Sequence, residues 1–227
     1  MENELKKTDV STTKVLLYAG VIAGPLFIGM SLILGLSREG FDLTRHPISL
    51  LLLGNPGWIQ CINFELTGLL AALYAIGIWQ LLHPRTGGTW GPVLVGLYGL
   101  GLILAGLFPP DPQFRFPPGS PDGIAAVMSA HANLHALGFF VSVLSLIIAS
   151  FIFARRFTTL QAHGWAAYCI GTGVAAPAFL ILGIVLTARA SAGLPLFGVG
   201  VVTSAWISVI AMRLLKELHL GTAGLKT

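Results

Sequence analysis

Charge is what this sequence has least of. Lys, Arg, Asp and Glu together make up 10% of 227 residues, and only nine residues are acidic. An ordinary soluble domain is about 25% charged. A chain this poor in charge cannot cover a water-facing surface, which excludes an ordinary soluble domain. Catalytic signatures are missing too: there is no Walker-type phosphate loop, no GxSxG elbow, no HExxH and no CxxC. No internal repeat is visible, so the inverted-repeat pattern of many transporters is absent.

Apolar residues fill the gap, at 55% of the chain. Six stretches are long enough to cross a bilayer, which takes about 20 residues. They run over 15–36, 58–82, 90–108, 134–154, 165–188 and 196–215. Each must be helical, because hydrocarbon offers no partner to an open backbone group. A β-barrel would show short alternating segments instead. The fold class expected is an all-α bundle of six transmembrane helices over 15–215, with tails at 1–14 and 216–227. Trp58, Trp90 and Trp165 fall at span ends, where an amphipathic ring prefers the interface. The first span is too long for a cleaved signal and lacks a small-residue cleavage site.

Lys and Arg set the expected orientation. With six spans, nine of the 13 basic residues share the side of both tails and the short connections: Lys6, Lys7, Lys14, Arg85, Arg155, Arg156, Arg213, Lys216 and Lys226. Arg38, Arg45, Arg115 and Arg189 lie on the other side. The richer side is expected to be cytoplasmic, in a bacterial cell membrane. The basic balance therefore needs no nucleic-acid partner; it reads as topology and contact with anionic lipid. No Lys lies within a span, so retinal has no point of attachment. Cys61 and Cys169 fall near opposite membrane faces, more than ~15 Å apart along the normal. A disulfide needs Cα atoms within about 7 Å, so both are expected as free thiols.

Polar residues gather on the outer side. The outer connections, 37–57 and 109–123, are long, and the second carries six prolines that stiffen it. The run Leu50 to Leu53 in the first is too short to span and suits a helix in the interface or re-entering the bundle. Ser120-Pro121-Asp122 reads as a helix start, with Ser as cap, Pro in the first turn and Asp at the positive dipole end. His131 and His135 are four apart and share a helix face. Glu65 is the one acid inside an apolar span, and such groups usually face a partner or a wet cavity. The candidate ligand-binding set is Asp42, Arg45, His46, Asn63, Glu65, Asp111 and Arg115. The candidate metal set is His131, His135, Asp111 and His46, with zinc as the ion that suits imidazole and carboxylate. Locally, Asp42 can pair with Arg45, and Asp111 with Arg115. His83, His163 and His219 are lone residues at inner helix ends; bis-His haem would need pairs at both membrane levels.

The string Asp42-Leu-Thr-Arg-His46-Pro-Ile-Ser49, the following Gly-Trp58-Ile-Gln-Cys-Ile-Asn63-Phe and Gly68 together resemble the bacterial membrane family called domain of unknown function 998. Phe108-Pro-Pro-Asp111-Pro and His135 fit its second pattern. The resemblance implies six spans and membrane residence, and carries no reaction with it. The His, Asp and Ser constellation also looks faintly like the alkaline ceramidase and progestin-receptor-like hydrolases, which have seven helices and a His pair on the last rather than the fourth. Three functions follow as expectations: binding or translocating a small lipophilic ligand through an outward polar pocket, metal-dependent hydrolysis on the HxxxH pair, or a structural role.

Overall fold

A computed structural model describes the backbone of residues 2–223 and the side chains of 10–220. Among the described residues the chain is wholly helical, apart from an isolated bridge between Gln113 and Phe116. Helices α1 (Glu2–Ser37), α2 (Gly57–Leu82), α3 (Trp90–Leu107), α4 (Ala130–Thr159), α5 (His163–Thr187) and α6 (Gly193–Ala223) each contain a segment long and apolar enough to cross a membrane. The protein is an integral, multi-pass membrane protein. Its outer belt is apolar: Ile33, Ile181 and Leu69 point away from the bundle.

The helices pack in chain order, α1 to α6, and α6 closes the ring against α1. Small residues bring the helices together. A Cβ on Gly68 would lie 2.5 Å from the Gly99 carbonyl, and one on Gly101 would lie 2.5 Å from the Gly138 carbonyl. Only glycine permits such backbone approach in lipid, where packing replaces the hydrophobic effect as the drive for association.

The ring is filled unevenly. Toward the end that carries the short connections, Trp206, Phe153, Phe157 and Tyr74 are fully buried. Trp206 meets Phe153 edge-on, with centroids 5.4 Å apart, and its indole N–H donates to Cys169 Sγ at 3.4 Å. Both cysteines are free thiols.

At the opposite end two long connections form a cap. The apolar run of the first folds as a short 3-10 helix, Ile48–Leu52. It packs inside the bundle against α1, α2 and α6, with Leu50 and Leu51 fully buried. The helix start expected at Ser120 is not there. α4 begins at Ala130, capped by Ser129, whose hydroxyl accepts from the Ala132 N–H. The Asp122 carboxylate is instead taken up by two arginines, and the Pro121 carbonyl by the Arg115 N–H.

Candidate functional site

The cap is knitted by side chains that reach between its two connections. His46 is the central stitch and is 3% exposed. Its Nδ1 accepts from the Asp42 N–H at 2.9 Å. That fixes the proton on Nε2, which donates to the Phe114 carbonyl at 2.9 Å. Phe114 and Arg115 both have positive φ, 55° and 64°, at the centre of a reversal closed by Gln113 and Phe116. Neither residue type favours that conformation. Burial of the Phe114 and Phe116 rings offsets the strain. Arg38 donates to the Leu51 and Leu53 carbonyls and lies over the Phe116 ring at 5.2 Å.

The charges pair differently from the local pairs the sequence suggests. Arg45 and Arg115 both turn to Asp122, at 3.5 and 2.7 Å. Asp42 accepts from the Thr44 hydroxyl and N–H, and these two bonds hold its carboxyl below the usual carboxylate range. The Ser129 hydroxyl and N–H do the same for Asp111, whose Oδ2 lies 2.9 Å from the Ser129 nitrogen.

Beneath the cap the ring is open. A cavity of about 590 Å³ lies between the cap and helices α1 to α6. Its walls are mostly apolar, among them Phe64, Leu102, Val143 and Leu180. Among the described residues, Asp111 and His135 are the only Asp, Glu, His, Lys or Arg side chains that line it. His135 is 8% exposed. Its Nδ1 lies 2.8 Å from the Ala105 carbonyl and 3.0 Å from the Phe108 carbonyl. Two acceptors place the proton on Nδ1, so Nε2, on the other edge of the ring, is left as a bare acceptor toward the cavity.

The remaining candidates stand elsewhere. Asn63 is buried between α1 and α2, donating to the Phe27 carbonyl and to Ser31. Gln60, fully buried beside it, donates to Ser31 and to the Ile48 carbonyl, so it ties the 3-10 helix to the bundle. A sequence reading passes over Gln60, Ser31 and Arg38, although a Gln inside an apolar span is itself a signal of a buried partner. Glu65 is half-buried outside the cavity lining, where Oε1 accepts from Cys61 Sγ at 3.3 Å. His131 is exposed, edge-on to Phe108. The metal set is not gathered around one point: among the described residues no three His, Cys, Asp or Glu side chains form a metal-holding group. His46 has both ring nitrogens committed to backbone, and His135 has one.

Comparisons with curated proteins and with solved structures return no match. Residues 21–213 match the family model described as protein of unknown function (DUF998), and the chain belongs to that family.

Proposed function

We propose that the protein binds a lipophilic small molecule in the cavity, with the cap facing the outside of the cell. The observation that carries this reading is an open volume of about 590 Å³ with the His135 imidazole on its wall, one of whose ring nitrogens the backbone carbonyls do not take up. Protein interiors leave few voids larger than a water molecule. One ligand fills that volume and offers a donor to His135 Nε2, and ~300–1,000 Å³ is the usual size of a small-molecule site.

The way in runs through lipid. Ile184 and Phe140 line the cavity and are themselves 53% and 39% exposed, as the wall of a cavity open to the bilayer would be. Ile124 and Met128, on the stretch leading into α4, do the same. An occupant reaches the site sideways from the bilayer. The buried rings of Trp206, Phe153 and Phe157 fill the ring beyond it. That favours binding over passage across the membrane. Hydrolysis on the His131–His135 pair has less support, because the two imidazoles do not converge with a third ligand.

The test is mass spectrometry of protein excised with its surrounding lipid in polymer nanodiscs. Gly200 lines the cavity, and a Cβ there would meet Ile28, Ile48 and Phe27 at ordinary contact distance, 3.7–3.9 Å, so a larger side chain takes its space from the cavity. The wild type is expected to hold a lipophilic mass that Gly200→Leu loses while keeping its thermal stability. A wild type that neither carries such a mass nor takes up added lipid sinks the reading.

A further inference from the structure

The chemistry of the cavity wall narrows the choice of occupant. Granting the lipophilic binding role proposed for the cavity, we infer that the occupant is a single-chain lipid whose headgroup is a hydrogen-bond donor, an amine or a hydroxyl, and not an anion. The first ground is charge. Among the described lining residues Asp111 is the one carboxylate, and there is no Lys or Arg. Of the four arginines at this end, Arg45 and Arg115 go to Asp122, Arg38 to the Leu51 and Leu53 carbonyls, and Arg189 is exposed and outside the lining. A carboxylate or phosphate headgroup would meet a like charge and no cation to answer it.

The second ground is the direction of the hydrogen bonds. His135 gives its proton to the Ala105 and Phe108 carbonyls, so Nε2 only accepts. Ser142, Thr187 and Thr203 also line the cavity, and each hydroxyl donates to a carbonyl of its own helix: Phe139, Gly183 and Val199, all at 2.8 Å. What they turn toward a ligand is lone pairs. Ser49, Tyr98 and Gln113 can both donate and accept, and they discriminate against neither kind of headgroup. Among its side chains the wall therefore has surplus acceptors. It satisfies an ammonium or a hydroxyl and leaves an anionic headgroup short of side-chain donors.

The third ground is size. About 590 Å³ lies in the middle of the range for one small ligand. One alkyl chain with a small headgroup fits that range; a two-chain phospholipid does not. The apolar chain would lie against Leu102, Val143 and Leu180, and the headgroup would sit between His135 and Asp111.

The test uses wild-type protein in phosphatidylcholine nanodiscs with three photoreactive probes of one chain length. They are a diazirine-bearing hexadecylamine, the matching alcohol and the matching carboxylic acid, in mildly alkaline buffer that keeps the acid ionised. Crosslinked peptides are mapped after photolysis. The amine and alcohol are expected to label cavity-lining residues about tenfold more than the acid, the equivalent of ~1.4 kcal/mol. Asp111→Asn is expected to lower labelling by the amine toward that by the alcohol. Its position in a connection outside the helices makes it a safer variant than any change at His135, whose imidazole also ties α4 to α3. Gly200→Leu should abolish specific labelling by all three. Equal or stronger labelling by the acid overturns the headgroup inference and leaves the cavity reading standing. Failure of all three probes to label the cavity overturns the cavity reading itself.

Discussion

The two ends of this bundle hold their charges in opposite ways. At the end with short connections, Arg156 is nearly buried, with its side chain 7% exposed and its partner Glu217 18% exposed, 2.8 Å apart. Arg213 joins Glu217 at 3.4 Å and lies over Trp165, and Arg156 also donates to the Thr86 carbonyl. One cluster thus binds α4, α5, α6 and the connection between α2 and α3. At the cap, the pair Arg115–Asp122 is 69% and 60% exposed, and the connections are held by backbone contacts, ring packing and one histidine. The difference teaches where this fold can yield. The closed end is locked by charges that have nowhere else to go, and its ring centre is filled. The capped end relies on bonds that open locally, and its ring centre is hollow.

The largest effect that can break this contrast is at Arg156. Arg156→Ala leaves the partly buried Glu217 with only Arg213, and removing one partner of a buried pair costs up to about 3–5 kcal/mol. The apparent melting temperature in detergent should fall by many degrees, and replacing both Arg156 and Glu217 by apolar residues of similar size should recover much of the loss. Arg115→Ala at the cap should cost less than about 1 kcal/mol, since exposed pairs contribute little. Similar losses for the two arginines would erase the distinction between the ends.

A change at His46 comes next. His46→Ala removes the stitch between the cap's two connections and leaves the Phe114 carbonyl and the Asp42 N–H without it, at a cost of about 1–3 kcal/mol. Most of that loss should be local. Hydrogen exchange should quicken over 109–128, and protease should cut there, while the α4–α6 helices stay protected. Uniform acceleration across all six helices would show that the cap and the bundle open as one unit.

Much of this architecture is legible in the sequence, for physical reasons. Six apolar runs of bilayer length admit only helices, so the spans can be placed to within a few residues at most boundaries. The position of His135 beside the cap is legible as well, because it follows from counting turns along one helix. What cannot be read is which way each side faces. Glu65 looks like a site residue because it is an acid in an apolar run. Yet Ile62, Leu66 and Leu69 show that this side of α2 looks outward, and Glu65 settles half-buried against Cys61. That choice depends on how α2 rotates to bring Gly68 onto Gly99. Asp122 carries every mark of a helix start, but two arginines from different connections win its carboxylate from the dipole. The cavity is the least legible feature of all, since it is defined by space that no residue fills.

The smallest effect tests whether the cap loosens with acid ahead of the bundle. Hydrogen bonds from Thr44 and from Ser129 hold the carboxyls of Asp42 and Asp111 below the ordinary range. A carboxyl depressed in the folded state stabilises it at every pH above its unfolded value, about 3.9. That contribution is lost as pH falls through the lower, folded value. The cap amides of Thr44 and Ser129 should therefore stay protected from neutral pH down to about 4 and lose protection below it. Both carboxyls are largely solvated, so each contributes under about 1 kcal/mol and the change is gradual. Asp42→Asn should flatten the acid response at Thr44 alone, and Asp111→Asn the response at Ser129 alone. The buried Arg156–Glu217 cluster serves as the internal reference: amides of α4 and α6 near it should hold through the same range. If they exchange in step with the cap, acid is acting on the bundle as a whole, and the two ends are not separately stable.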